Sequence, residues 1–236
     1  MTSRANGAAI QVDRLSKRVG NRLVLDAVTL VVRAGAACGI AAPNGAGKSL
    51  LLDILAGYAA PTSGRVRLLG HDPRAAALRG QVAALAQRPM LDAADSVAGL
   101  LGYLADLAGV ARATAVPPVL ERLALTELAA ERVGELSEGV RRRVALAAVL
   151  IGRPRIALLD EPGAGLDPVA RRSVDAAVRE LKRSATVVVA SSDPAYVESM
   201  CDEVFNLGVA NKAAHDAIGD VAERTRLTTP QQGAWS

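Results

Sequence analysis

The chain has 236 residues, half of them apolar, with 28 Lys and Arg against 24 Asp and Glu for a net charge of +4. That length suits one full α/β domain with at most a small subdomain. Three Tyr, one Phe and one Trp cannot build a base-stacking platform, so no nucleic-acid partner is expected, and two distant cysteines, Cys38 and Cys201, lack the spacing of a zinc or redox site.

In chain order, the first fifteen residues carry no apolar core of signal-peptide length. Residues 10–15 and 23–32 alternate or run apolar in short bursts around Gly20-Asn21, which predicts antiparallel strands. An apolar strand over 36–41 then feeds Ala42-Pro43-Asn44-Gly45-Ala46-Gly47-Lys48-Ser49, and a helix is expected over 50–56. A turn at 61–64, a short strand at 66–69 and a buried strand over 82–86, ending at Gln87, follow. From Val97 the apolar residues Leu100, Leu101, Leu104 and Leu107 recur at helical spacing. They open a helical insertion over about 92–140, which Pro117-Pro118 is expected to interrupt.

A helix over 140–151, a strand over 156–160 and a second helix come next. Asp167 is the expected N-cap of that second helix, with Pro168 in its first turn and Val174, Val178 and Leu181 on one face. A β-branched strand covers 186–190, and past Leu207 the pattern weakens into a flexible tail at 228–236. The longest apolar stretch in a predicted helix, 144–151, is far too short to span a bilayer, so any membrane association must come through a partner.

Two segments carry chemistry. Residues 42–49 form a phosphate-binding loop with one letter changed, Ala42 standing where the pattern has its first glycine. In such a loop backbone N–H groups turn toward the phosphates, with Gly45 and Gly47 removing the Cβ atoms that would block the fold. Lys48 reaches the outer phosphates, the Ser49 hydroxyl holds Mg²⁺, and the helix that follows adds its dipole. Further on, the apolar run Ile156-Ala157-Leu158-Leu159 ends in Asp160-Glu161-Pro162. The first acid would orient the Mg²⁺ shell and the second would activate water for attack on the γ-phosphate. Strand ends are where parallel sheets open onto their ligands.

In these residues the chain resembles the nucleotide-binding subunit of ATP-binding-cassette (ABC) transporters, from about Val12 to Val204. The phrase at 101–109 is closest to bacterial exporters whose ATPase and membrane subunits are separate chains. The resemblance implies a P-loop α/β cassette with a mainly parallel core sheet, an antiparallel β subdomain and a helical insertion, spanning about 8–227. It also gives Gln87 a role in touching Mg²⁺ and sensing the membrane partner, and makes Leu136-Ser137-Glu138-Gly139-Val140 the signature. Asp167, in Gly165-Leu166-Asp167-Pro168, falls in the loop that communicates across the dimer. Implied too is a head-to-tail pair, homo- or heterodimeric, in which each ATP lies between one phosphate loop and the other chain's Ser137, Glu138 and Gly139. The pair would sit on the cytoplasmic face of the cell membrane against a multi-spanning permease subunit.

Five positions depart from the family pattern. Val19 stands where an aromatic residue stacks on adenine, Ala42 replaces a glycine, and Leu50 replaces a threonine near the α-phosphate. Glu138 replaces a signature glycine and would bring negative charge toward the partner's nucleotide. Ser192, after strand 186–190, replaces the switch histidine. These departures leave two readings: an ATPase that powers transport, slowed by Ser192, and a degenerate nucleotide-binding subunit paired with a competent homologue.

Overall fold

The computed structural model describes residues 7–208; the expected end of the cassette near 227 and the expected tail at 228–236 lie outside them. The chain begins with a hairpin. Strand β1 (Ala8–Val19) turns at Gly20-Asn21 into β2 (Arg22–Arg33), and the two pair antiparallel from Ala8↔Arg33 to Val19↔Arg22. Both strands run beyond the expected limits because bulges, with Arg14 and Ala27 at φ near +43°, let them bend and continue.

Strand β3 (Ala37–Ala41) leads through the Gly-rich loop into helix α1 (Lys48–Leu55). Strand β4 (Ser63–Leu68) returns to pair antiparallel with β1, giving a small sheet in the order β2-β1-β4. Strand β5 (Val82–Leu85) is an edge strand of the sheet that holds β3, and it is followed by helices α2 (Val97–Leu107), α3 (Arg112–Arg122) and α4 (Glu138–Gly152). The remaining elements are β6 (Ile156–Asp160), α5 (Pro168–Ser184), β7 (Thr186–Ser191), α6 (Pro194–Met200) and β8 (Glu203–Asn206).

The second sheet runs β5-β6-β7-β3-β8, and every neighbouring pair in it is parallel. Both of its faces are covered, which is why β3, β6 and β7 are buried along their whole length and read as continuous apolar runs. The pleat divides their side chains between two cores. Ala157, Leu159, Val187 and Val189 join the helices α2 to α6, whereas Ile156, Leu158, Val188 and Ala190 join α1 and the antiparallel sheet. The expected α/β architecture, with a parallel core sheet, an antiparallel layer and inserted helices, is therefore what the chain adopts.

One expectation fails. Pro117 and Pro118 do not break the insertion; both lie inside α3. The chain instead turns between α2 and α3 around Gly109, at φ +68°. Both prolines face solvent while Ala115, Val116, Val119 and Leu120 are buried. The carbonyls that lose an N–H partner therefore lie on the wet side of the helix, and packing of the apolar face outweighs the local cost.

Candidate active site

The Gly-rich loop follows β3 and closes onto α1, whose first-turn N–H groups have no intrahelical partner by the geometry of any helix start. Gly47 caps α1 in the left-handed region at φ +98°. A Cβ there would come within 2.8 Å of Leu25 Cδ2 and 3.0 Å of Val24 Cγ1, so β2 is packed directly on the loop. Gly45, at φ +79°, has open space around it. Ala42 is not among the positive-φ residues, and its methyl packs into the core, so the missing first glycine costs the loop nothing in backbone strain.

Lys48 is 5% exposed, and its Nζ donates to the carbonyls of Ala42 at 2.7 Å and Pro43 at 3.2 Å. It also stands 3.6 Å from Glu161 Oε1. Asn44, Gly45, Gly47, Lys48, Ser49 and Leu50 line a cleft of about 390 Å³, whose other side is Gln87, Asp160 and Glu161. Three segments far apart in the chain thus meet on one cleft. The first is held at the end of β3, the second follows β5, and the third ends β6.

Asp160 is buried, and its Oδ1 has no hydrogen-bond partner among the described residues. Burial pushes its carboxyl above the usual range, the Ser49 hydroxyl pulls it back, and the neighbouring Glu161 charge pushes it further up. A buried, orphaned carboxylate oxygen beside a serine hydroxyl fits a hard cation such as Mg²⁺, which takes one or two protein oxygens plus phosphate oxygens. Among the described residues no cluster of three or more His, Cys, Asp or Glu is placed to hold a metal ion, so such a cation would have to be shared with a nucleotide.

Glu161 has the left-handed φ of +47°, a conformation worth about 1–2 kcal/mol of strain in a residue with a Cβ. Its N–H donates to Ala190 O at 2.9 Å. Its carboxylate accepts at Oε2 from Ser191 Oγ at 2.9 Å and at Oε1 from the Ser192 N–H at 2.6 Å. Ser192 therefore reaches Glu161 through its main chain. The buried hydroxyl on the carboxylate belongs to Ser191, a residue that sequence reasoning passed over in favour of its neighbour. The signal was there: Ser191 is a hydroxyl closing the strand after the apolar run Val187-Val188-Val189-Ala190.

Sequence reasoning also passed over Arg142. It is 5% exposed and donates to the carbonyls of Glu161 at 3.1 Å, Ala164 at 2.6 Å and Gln87 at 2.9 Å.

The signature residues stand apart from this cleft. Ser137 caps α4, its hydroxyl accepting from the Val140 N–H at 3.4 Å. Glu138 is exposed but lies 3.6 Å from Arg142 Nη2, which offsets its charge. Gly139 faces Leu166, which a Cβ would approach to 3.2 Å. Asp167 caps α5, accepting from Val169 N at 2.8 Å and Ala170 N at 3.0 Å, and those N–H groups hold its carboxyl below the usual range. Val19 ends β1 at 56% exposure, an uncovered aliphatic side chain, and Leu23 across the turn is also exposed.

An all-parallel sheet, a phosphate loop at the end of β3 and an acidic pair at the end of β6, with β7 between them, define a phosphate-loop nucleotide-binding protein. The ABC transporter family matches residues 25–164, more than half of the chain, and the protein belongs to that family. It is 35% identical over 216 residues to the Nod factor export ATP-binding protein I of Paraburkholderia xenovorans (strain LB400), covering 89% of this chain and 71% of that one. It is 39% identical over 189 residues to the daunorubicin resistance ATP-binding protein DrrA3 of Streptomyces coeruleorubidus, covering 77% of this chain and 59% of the other. Among solved structures, the ATP-binding subunit of an ABC transporter superposes with a TM-score of 0.76 at 26% identity, over 84% of this chain and 85% of that one.

Proposed function

We propose that the chain is the ATP-hydrolysing subunit of an exporter. It would bind Mg²⁺–ATP in a head-to-tail pair of cassettes and drive a separate multi-spanning permease from the cytoplasmic face of the membrane. The cassette would occupy about 8–227, with its helical subdomain at about 92–140. The observation that carries this reading is the single cleft onto which Lys48, Ser49, Gln87, Asp160 and Glu161 converge. Export is supported by the names of the relatives, which act on Nod factor and in daunorubicin resistance.

Residues 42–50 would wrap the triphosphate, with Val19 beneath the base. Ser49, Gln87 and Asp160 would hold Mg²⁺, which neutralises charge on the phosphate oxygens. Glu161 would orient and deprotonate the attacking water as general base. The N-terminus of α4, with Ser137, Glu138 and Gly139, would face nucleotide on the other chain, and Asp167 would lie at the shared boundary. Directly after Gln87, a largely apolar groove of about 540 Å³, lined by Arg88, Met90, Leu91, Leu104 and Tyr58, offers the permease a surface next to the cleft. No helix of the described residues is long and apolar enough to cross a membrane, so the spanning segments would be the partner's.

A second reading is favoured by Ser192, which lacks an imidazole, and by Val19, which cannot stack. In it the chain binds ATP, hydrolyses little, and completes a pair with a competent homologue. Phosphate release by the purified chain separates the two. Mg²⁺-dependent turnover abolished by Lys48→Ala and by Glu161→Gln supports the ATPase. Bound ATP without turnover supports the degenerate subunit, and turnover unchanged in both variants contradicts both.

A further inference from the structure

We infer that Ser191 is the positioning residue of the general base: its hydroxyl fixes the Glu161 carboxylate, and the side chain of Ser192 takes no part. The inference rests on the proposed hydrolysis and adds to it the group that holds its base in place.

The two carboxylate oxygens have different partners. Oε1 accepts from the Ser192 N–H at 2.6 Å and faces Lys48 Nζ at 3.6 Å. At Oε2 the donor is Ser191 Oγ, at 2.9 Å. The orientation of that hydroxyl is itself fixed. Ser191 Oγ accepts from the Asp193 N–H at 3.2 Å, which occupies a lone pair and leaves the single O–H proton for Glu161. Ser191 is 3% exposed, so water does not compete for the bond. The main-chain frame is equally tight, because β6 and β7 pair at Asp160↔Ala190 and the Glu161 N–H bonds Ala190 O.

A carboxylate gripped at one oxygen only can swing about its terminal torsion, which is broad and roughly two-fold. Gripped at both, it presents one fixed face to the cleft. Ser191 supplies the second grip. Ser192, by contrast, uses only its N–H, which any residue other than proline provides, and its side chain is exposed.

The test is steady-state kinetics with nucleotide affinity measured separately, on the purified full chain. Ser191→Ala should lower kcat by about tenfold to a hundredfold, the worth of one charge-assisted hydrogen bond, while the Kd for ATP stays within about twofold. Ser191→Thr, which keeps the hydroxyl and suits a strand, should restore most of the rate. Ser192→Ala, which keeps the N–H on Glu161, should lose clearly less than Ser191→Ala. In a Glu161→Gln background, Ser191→Ala should lower the residual rate no further.

Glu161-dependent turnover that is unmoved by Ser191→Ala overturns the inference and leaves the ATPase standing. So does a loss that threonine fails to restore, or an equal loss in Ser192→Ala. Wild-type turnover that Glu161→Gln does not reduce removes the hydrolytic reading, and this assignment with it.

Discussion

The Arg142 guanidinium, buried in α4, donates from Nη2 to the main-chain carbonyl of Gln87 at 2.9 Å. Its Nη1 reaches the carbonyls of Glu161 and Ala164, so the helix that begins at Ser137 is tied to two walls of the cleft by one side chain. Among the described residues its one ion pair is with the exposed Glu138 at 3.6 Å, and Nε has no partner. Arg142 thus holds α4 in register with the main chain at Gln87 and Glu161.

Removing that cation should be costly. Arg142→Met fills similar volume but removes the donor to the carbonyls of Gln87 and Ala164 and leaves that of Glu161 with only the Ala164 N–H, a loss of about 3 kcal/mol. In a chain of this size that lowers Tm by roughly 6–12 °C, measured by thermal unfolding. A change of a degree or less would show that water replaces the guanidinium without cost.

The two loop glycines should respond differently to the same change. Gly47→Ala places a Cβ 2.8 Å from Leu25 Cδ2 at φ +98°, and should both destabilise the fold and abolish ATP binding. Gly45→Ala meets open space, so backbone strain of about 1 kcal/mol is its whole structural cost. Unfolding midpoints of the two variants, measured side by side, test the difference.

Val19 is exposed and free to be enlarged. If the base lies over it, Val19→Tyr adds stacking worth ~1–3 kcal/mol and tightens ATP by about fivefold to a hundredfold. The same variant should leave the affinity for inorganic triphosphate unchanged. Titration calorimetry with both ligands measures this, and equal tightening of the two would place the base elsewhere.

These contrasts follow how much of the protein its sequence disclosed. The loop at 42–49 and the Asp160-Glu161 pair were legible because phosphate chemistry demands those residue types in contiguous order. The Asp167 cap was legible for the same reason, since an Asp-Pro step acts within one turn of helix. Pro117-Pro118 misled because the outcome depended on which face of α3 they occupied, and only tertiary packing decides that. The harmlessness of Ala42 depends on a backbone torsion that residue names do not carry. Ser191 and Arg142 were hidden for a related reason. Their partners lie 30 and 19 residues away, at Glu161, and are brought close only by the parallel pairing of β6 with β7 and the packing of α4.

Asp160 should cost the fold stability at neutral pH. Burial raises its carboxyl above the ordinary value, so the native state holds the proton more tightly than the unfolded chain does. Stability therefore falls as pH climbs from the ordinary carboxylate range through the raised native value, and the cost is absent at lower pH, where both states are protonated. Asp160→Asn should stabilise the fold at pH 7, an advantage that shrinks toward acid pH, while Mg²⁺ no longer strengthens ATP binding. Urea unfolding at several pH values checks the first claim and nucleotide titration with and without Mg²⁺ the second.

Sedimentation velocity of the Glu161→Gln chain, with and without Mg²⁺–ATP, tests the nucleotide sandwich most directly. A monomer that becomes a dimer only with Mg²⁺–ATP, and fails to do so when Ser137→Arg blocks the start of α4, is the predicted result. A chain that stays monomeric at saturating ATP, or that dimerises equally with the α4 start blocked, would contradict it.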